Sequence, residues 1–181
     1  LDAYKSGEVI GVPFPSNLKE CTYSELKPVY GVTGDKKSVY RTEVIKKYKP
    51  YPTFKGEKFV PLYLPIVIDK DYKVLCFNEV FCVVDYQDDG STLNMYRQYK
   101  KNARGFAQQR KVLMEYSPFK TQQFRNAIHY VSSSIFLMNI NFLKESPKKI
   151  FTIVAFPFGV LLYFYIFFKT QKTQKTQKTL K

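Results

Sequence analysis

The stretch SPKKIFTIVAFPFGVLLYFYIFFK, residues 146–169, decides the fold of the C-terminal part of this chain. Its core, Ile150–Phe168, is a run of 19 residues without a charge, about the length that crosses the hydrocarbon core of a bilayer. Ser146 and Pro147 predict a helix start, because they supply an N-cap and a first-turn proline. The sequence therefore predicts a membrane-associated helix over residues 147–168, with a buried core helix as the alternative.

Basic residues flank this apolar run on both sides. Lys148 and Lys149 precede it and Lys169 follows it, so the charge rule for loops sets no orientation. Three Lys-Thr-Gln repeats then begin at Lys169 and offer no apolar face. We expect the tail, residues 169–181, to be disordered and to be held on anionic lipid by charge.

The composition restricts the class of partner. The net charge of +14 attracts phosphate, whether of nucleic acid, anionic lipid or a sugar nucleotide. Lysine acts as a point charge, which suits lipid surfaces and diphosphates, and the basic and aromatic residues form no recognisable stacking module. No nucleic-acid partner is therefore expected. The three cysteines, Cys21, Cys76 and Cys82, lack metal-ligand spacing and predict reduced thiols in a cytoplasmic body.

The remaining sequence predicts one α/β unit, residues 1–90, followed by a helical region, residues 91–146. Apolar periodicity and turn residues predict strands at 8–13, 37–41, 73–77 and 79–86, and helices at 22–30, 42–48 and 59–68. The strands 73–77 and 79–86 are expected to pair with each other. The single histidine, His129, has no partners at ligand spacing and is interpreted as structural.

Two aspartate motifs are interpreted as turns and not as metal sites. Asp69-Lys70-Asp71 has the spacing that can chelate a divalent ion, but it lies between an apolar segment and a strand, where Asp and Lys are ordinary turn residues. The segment 88–92, Asp-Asp-Gly-Ser-Thr, ends a predicted strand and offers a cap for the next helix. We therefore expect no metal ligands in this chain.

Four strings in a fixed order resemble a known family. They are Gly34-Asp35-Lys36-Lys37 leading into residues 40–44, Tyr51–Pro61, Asn78–Thr92, and residues 130–134 with Ser146–Lys149 and the apolar run. This order resembles the C-terminal part of family-2 glycosyltransferases from bacterial capsule and cell-surface polysaccharide clusters. The resemblance covers Gly34–Phe168 and implies the α/β GT-A fold. Residues 1–90 would be a partial, Rossmann-like sheet layer on the acceptor side, and the N-terminal donor half would lie outside this chain.

The resemblance also implies a reaction and its partners. A carboxylate would deprotonate the acceptor hydroxyl while a sugar leaves its nucleoside diphosphate. Glu57 occupies the place of that base, with a first-turn helix carboxylate as the alternative. A divalent metal, Mg or Mn, is expected for the full-length enzyme and none for this chain, which alone should be inactive. The donor would be a nucleotide sugar and the acceptor a glycan or a lipid-linked glycan, at the cytoplasmic face of the bacterial membrane.

Six cationic residues are candidates for phosphate or substrate binding. Lys36, Lys37, Arg41 and Lys58 lie around Glu57 in the sequence, and Arg97 and Lys101 share a helix face at i and i+4. A solvated basic surface is the alternative for all of them. For the whole chain, the alternative function is a non-catalytic basic subunit that anchors a larger assembly to the membrane.

Overall fold

The computed structural model describes residues 1–48, 50, 52–57, 63–86 and 94–179. The chain divides into two compact units, one formed by Leu1–Pro50 with Leu64–Asp88 and the other by Tyr51–Tyr63 with Asp89–Lys181. Helices account for 49% of the residues and strands for 7%, so the chain is mixed α/β but mostly helical. Residues 51–63 thus group with the helices, although the sequence pattern placed them in the unit 1–90.

Four short strands of the first unit form two separate two-stranded sheets. They are β1 Asp2–Tyr4, β2 Glu20–Cys21, β3 Val74–Leu75 and β4 Cys82–Val84. β1 and β4 are parallel partners, whereas β2 and β3 are antiparallel partners. The predicted pairing of 73–77 with 79–86 is therefore wrong, and the described strands do not show a GT-A sheet.

The side chain of Asn78 explains why β3 and β4 do not form a hairpin. Its amide accepts the Phe14 N–H at 3.1 Å and donates to the Phe14 carbonyl at 2.8 Å, so a distant segment occupies the link between the two strands. The Cys76 N–H then extends the β2–β3 ladder and the Phe81 N–H extends the β1–β4 ladder. A turn signal favours local pairing, but pairing with a segment some 50–80 residues away leaves no local signal.

The other predicted elements of the first unit are shorter than expected. The strand at 8–13 is reduced to one antiparallel bridge between Ala3 and Val9, and 37–41 is not a strand. The helix predicted at 22–30 is a single 3-10 turn, Tyr23–Glu25, the one at 42–48 is α1 Thr42–Ile45, and the described part of 59–68 contains α2 Leu64–Ile68. Where regular ladders are missing, side chains and turns satisfy the backbone.

The β2–β3 pair brings two cysteines together. The sulfur atoms of Cys21 and Cys76 lie 3.9 Å apart, and both residues are buried free thiols. Burial, followed by the neighbouring Cys76, raises the pKa of the Cys21 thiol to about 12. This thiol is therefore protonated and unreactive at neutral pH.

The second unit is built from five helices in its described residues. They are α3 Met95–Lys101, α4 Ala103–Tyr116, α5 Lys120–Phe136, α6 Phe142–Glu145 and α7 Lys149–Thr179. The helical region predicted from residue 91 onward is thus observed from Met95. α4 ends before Pro118, as proline requires. α5 ends at Phe136, and Met138, two residues further on, has a left-handed φ of 51°.

α7 begins two residues after the predicted start and extends beyond the apolar run. Ser146 accepts the Lys148 N–H at 3.2 Å and contacts the Thr152 hydroxyl at 2.6 Å, so it organises the first turn. The helix continues to Thr179, which differs from the disorder predicted for 169–181. Once a helix is nucleated, each further residue adds a hydrogen bond, and lysine and glutamine are good helix formers.

The contact between α5 and α7 is the main packing interaction of this unit. Thr152, Ala155 and Gly159 lie on the buried face of α7, at helical spacing. A Cβ atom added at Gly159 would lie 2.5 Å from the Cβ of Val131 and 2.9 Å from the Ile128 carbonyl. Only glycine permits this close approach, and Ala155 with Gly159 forms a small-xxx-small pair of the kind found between membrane helices.

We predict that Gly159→Ala destabilises the second unit. Helix propensity alone would favour alanine by about 1 kcal/mol. Overpacking against Val131 costs about 1–3 kcal/mol, so we expect a net loss of up to about 2 kcal/mol in the free energy of unfolding. Urea titration in mild detergent, followed by circular dichroism, measures this loss.

The double variant Gly159→Ala, Val131→Ala is the matched control. Removing the valine methyls makes room for the new Cβ, so its loss should be smaller than the sum of the two single losses. Additive losses, or a Gly159→Ala variant more stable than the wild type, would contradict the close approach of the two helices.

Candidate functional site

A cleft of about 350 Å³ in the first unit collects three of the six predicted phosphate-binding residues. Lys36, Lys37 and Arg41 all line it. Tyr40, Tyr72 and Lys73 contribute further polar and aromatic surface. Three of the cations predicted from the sequence thus share one concave surface, and this surface is the candidate binding site of the unit.

Lys36 has a structural task in this cleft. Its ammonium group donates to the Thr33 carbonyl at 2.6 Å and to the Ile10 carbonyl at 3.3 Å. These carbonyls precede Gly34 and Gly11, whose backbones cross so closely that a Cβ at either would lie under 3 Å from backbone atoms. Desolvation lowers the pKa of Lys36, and its charge is directed mainly at the chain itself.

Lys37 and Arg41 are more accessible to a ligand. The Lys37 ammonium lies 3.7 Å from the carboxylate of Asp2, and the lysine side chain is half exposed. Arg41 precedes α1 in extended conformation and is exposed. A guanidinium can hold a phosphate by two parallel hydrogen bonds, so Arg41 is the best-placed anion ligand of the cleft.

The two carboxylates of the Asp-x-Asp motif are bound to protein groups. Asp69 accepts the backbone N–H groups of Tyr23 and, at 2.8 Å, Ser24, so it caps the 3-10 turn. Asp71 accepts the hydroxyl of Tyr48 at 2.9 Å. Within the described residues, no group of three or more His, Cys, Asp or Glu side chains is arranged to hold a metal ion.

Glu57 belongs to the second unit, where it lies at the start of α4. Its two carboxylate oxygens accept the backbone N–H groups of Arg104 at 2.9 Å and Gly105 at 2.8 Å. Backbone amides at a helix N-terminus stabilise an anion, so Glu57 caps α4. This resembles the alternative interpretation, although the helix is α4 and not one that starts at Glu57. Lys58 lies outside the described residues.

A second cavity, of about 380 Å³, lies beside this helix start in the same unit. Arg104, Gln108 and Lys111 line it from α4, and Phe54 and Asn139 contribute further surface. Sequence analysis did not identify it. The i, i+4, i+7 spacing of the three polar residues on one face of α4 is the signal that could have revealed it.

Arg97 and Lys101 lie on α3, in the second unit, and both are exposed. Their neighbours on the helix contact α7: the hydroxyls of Tyr96 and Tyr165 are 3.4 Å apart, and the Lys100 ammonium lies 5.3 Å from the Phe167 ring centroid. These two cations are therefore near the C-terminal part of the apolar run and are not part of the cleft that Lys36, Lys37 and Arg41 line.

His129 lies in a cationic interior position on α5. Desolvation, followed by the charges of Arg110 and Arg125, lowers its pKa from 6.5 to about 4. Arg110 donates to Asn126 at 3.0 Å, and the ring of Tyr99 is 5.8 Å from the imidazole. The imidazole is therefore neutral at physiological pH, in keeping with a structural role.

One described helix could cross a membrane by its length and composition, namely Lys149–Gln171 within α7. This agrees with the predicted membrane association, while neither end of the helix determines a membrane face.

Comparison of the chain with protein-family models, with curated proteins and with solved structures gives no match. The family resemblance therefore stays a prediction that rests on the four sequence strings.

We predict that Lys36→Met lowers stability. It removes two hydrogen bonds from a charged donor to the Ile10 and Thr33 carbonyls, and bonds of this kind contribute about 1–3 kcal/mol. Lys5→Met is the control, because Lys5 pairs with Asp85 on the exposed surface and should change stability by less than about 1 kcal/mol. Equal urea midpoints for the two variants would contradict the structural role of Lys36.

We predict that the imidazole of His129 does not titrate near pH 6.5. Its folded pKa is below the unfolded value, so the unfolded chain binds the proton first and acid lowers stability from about pH 6.5 towards pH 4. The ring protons of this single histidine report the titration directly by NMR. Arg125→Gln should raise the pKa by removing a cation, and a wild-type midpoint near 6.5 would contradict the buried environment.

Proposed function

We propose that this chain is the acceptor-side part of a family-2 glycosyltransferase that acts at the cytoplasmic face of the bacterial membrane. The observation that carries the proposal is the shared cleft of Lys36, Lys37 and Arg41, all from the first string of the family resemblance. The proposed fold is a partial GT-A layer, completed by a donor half outside this chain. The substrates would be a nucleotide sugar and a glycan or lipid-linked acceptor.

The chemistry of the cleft supports binding of a phosphorylated ligand. A nucleoside diphosphate leaves with negative charge on its oxygens, and cations near it lower the barrier. Arg41 and Lys37 supply that charge, whereas Lys36 mainly fixes the backbone beneath them. The tyrosines of the cleft, Tyr40 and Tyr72, offer flat surfaces and hydroxyls suited to a sugar or a base.

The divalent metal expected for the full-length enzyme does not fit the described residues of this chain. Asp69 and Asp71 already accept hydrogen bonds from protein groups, and the described residues contain no cluster of metal-ligating side chains. We therefore assign the metal to the donor half of the full-length enzyme.

Glu57 remains our candidate for the general base. Each of its oxygens accepts one backbone N–H, which leaves lone pairs available for an acceptor hydroxyl. The amides also fix the carboxylate in one position, as a base requires. The 380 Å³ cavity beside α4, with Phe54, Gln108 and Asn139, would then hold the acceptor glycan.

The second candidate function is a non-catalytic subunit that anchors an assembly to the membrane. The exposed apolar side of α7 favours it as much as it favours the enzyme. The reading frame directly upstream of Leu1 distinguishes the two. A strand, an Asp-Gly-Ser type turn and an Asp-x-Asp motif there would support the glycosyltransferase.

We predict that Glu57→Gln in the enzyme that contains this chain lowers turnover by about two to four orders of magnitude. Glutamine keeps the shape, and its one carbonyl oxygen can still accept one of the two backbone N–H groups that Glu57 accepts, so α4 keeps one of its two capping bonds and the helix content should change little. Binding of the nucleotide-sugar donor should barely change. Transfer of labelled sugar to a lipid-linked acceptor in membranes measures the rate.

Glu43→Gln on α1 is the matched control, because Glu43 is an exposed glutamate at a helix start and should be nearly silent. More than a tenth of wild-type turnover in Glu57→Gln would assign the base to another residue. The absence of transfer in the wild-type enzyme with all common nucleotide sugars would reject the glycosyltransferase proposal itself.

A further inference from the structure

α7 exposes a continuous apolar side to solvent. Nine large side chains between Ile150 and Phe168 have 46–76% of their surface exposed: Ile150, Ile153, Val154, Phe156, Phe158, Leu161, Phe164, Tyr165 and Phe168. At roughly 100 Å² each, they expose on the order of 900 Å², more than the roughly 300–600 Å² of the largest patch on a typical monomer. Exposing an apolar surface of this size to water is unfavourable.

The opposite side of α7 is occupied along the whole apolar run. Phe124 of α5 contacts Phe151 at 6.3 Å between ring centroids, and Phe136 of the same helix contacts Tyr163 at 4.6 Å. Further along, the Lys100 ammonium of α3 lies 5.3 Å from the ring centroid of Phe167. The helix therefore has one free side over its length, and not a free end.

A spanning arrangement conflicts with this packing. If α7 crossed a bilayer while packed as observed, α5 and α3 would enter the hydrocarbon with it. α5 carries the exposed Arg125, and α3 carries the exposed cations Arg97 and Lys101. A charged side chain in hydrocarbon is strongly unfavourable, so the packed unit fits only a position beside the hydrocarbon.

Basic residues border the exposed apolar side at both ends. Lys148 and Lys149 lie at its start and Lys169 at its end, and Lys100 of α3 lies over the Phe167 ring. Such charges attract the headgroups of an anionic bilayer and would lie at headgroup depth beside a half-buried helix. The surface is thus complementary to an anionic bilayer in both its apolar and its charged parts.

We propose that α7 lies in the plane of an anionic bilayer surface, with its side from Ile150 to Phe168 buried in lipid, and that it does not span the membrane. The helices α3 and α5 stay on the aqueous side. This inference does not depend on glycosyl transfer, because it rests on the packing of α7 alone.

The experiment uses the full chain with a different epitope tag at each end. The protein is added to preformed vesicles of equal parts phosphatidylglycerol and phosphatidylcholine, and external protease is then applied. If α7 lies in the surface, both tags are digested while the chain is vesicle-bound. Protection of the C-terminal tag would show a spanning helix and overturn the proposal.

A matched pair of variants tests which surface binds. Leu161→Glu places a charge on the exposed side of α7, where leucine is 66% exposed, and should lower vesicle binding roughly tenfold or more with helix content unchanged. Val39→Glu, at an apolar residue of the first unit that is 90% exposed, should bind as the wild type does. Equal binding of both variants would overturn the assignment of this surface.

Further binding measurements test whether anionic lipid is required and whether a second copy of the chain covers this surface instead. Vesicles of phosphatidylcholine alone, or high salt, should weaken binding of the wild type roughly tenfold or more, because several lysines contribute through charge. A wild-type chain that ignores vesicles and sediments as a dimer, which Leu161→Glu converts to a monomer, would overturn the proposal in favour of a second copy on this surface.

Discussion

The close approach of Gly159 to Val131 is the contact on which the second unit depends. It seats α7 against α5 at small residues, Gly159 and Ala155, and leaves nine of the large apolar side chains of α7 exposed on the other side. In a water-soluble protein the arrangement is the reverse, because the large apolar residues lie inside the core. Helices in lipid pack through small residues because their large side chains gain nothing by leaving an apolar solvent.

The first unit is held together in a different way. Its strands are few, so individual polar side chains carry backbone hydrogen bonds that a larger sheet would otherwise provide. Asp69 caps a turn, Asn78 bonds both backbone groups of Phe14, and Lys36 bridges two carbonyls. Polar side chains that bond to the protein in this way are not available to bind a ligand, and the others are. Lys37 and Arg41 stay accessible in the cleft, whereas the Asp-x-Asp carboxylates are occupied.

Glu57 shows how one residue can serve stability and a proposed reaction together. The amides of Arg104 and Gly105 hold its carboxylate at the start of α4, next to a cavity with aromatic and amide side chains. A carboxylate fixed in this way needs no second acidic residue to orient it. The next residue in the sequence is a lysine, Lys58, and not an acid. The proposed base is thus positioned by backbone groups, which substitution cannot remove singly.

The sequence by itself determined the features that depend on neighbouring residues. The run Ile150–Phe168 specified an apolar helix, and the periodicity after Ser91 specified helices, because helical hydrogen bonds and faces are local. The proximity of Lys36, Lys37 and Arg41 in one cleft also follows from their short separation along the chain. For the same reason the sequence offered the turn interpretation of Asp69 and Asp71.

Only the tertiary structure decided the features that join distant residues. The pairing of β1 with β4 and of β2 with β3 replaced the expected hairpin, since strand partners are chosen by long-range hydrogen bonds. The capping of α4 by Glu57 links residues 47 and 48 positions apart, and no local pattern encodes it. The sequence also did not identify the side of α7 that stays exposed, because a run that is apolar all round does not show which side a partner helix will cover.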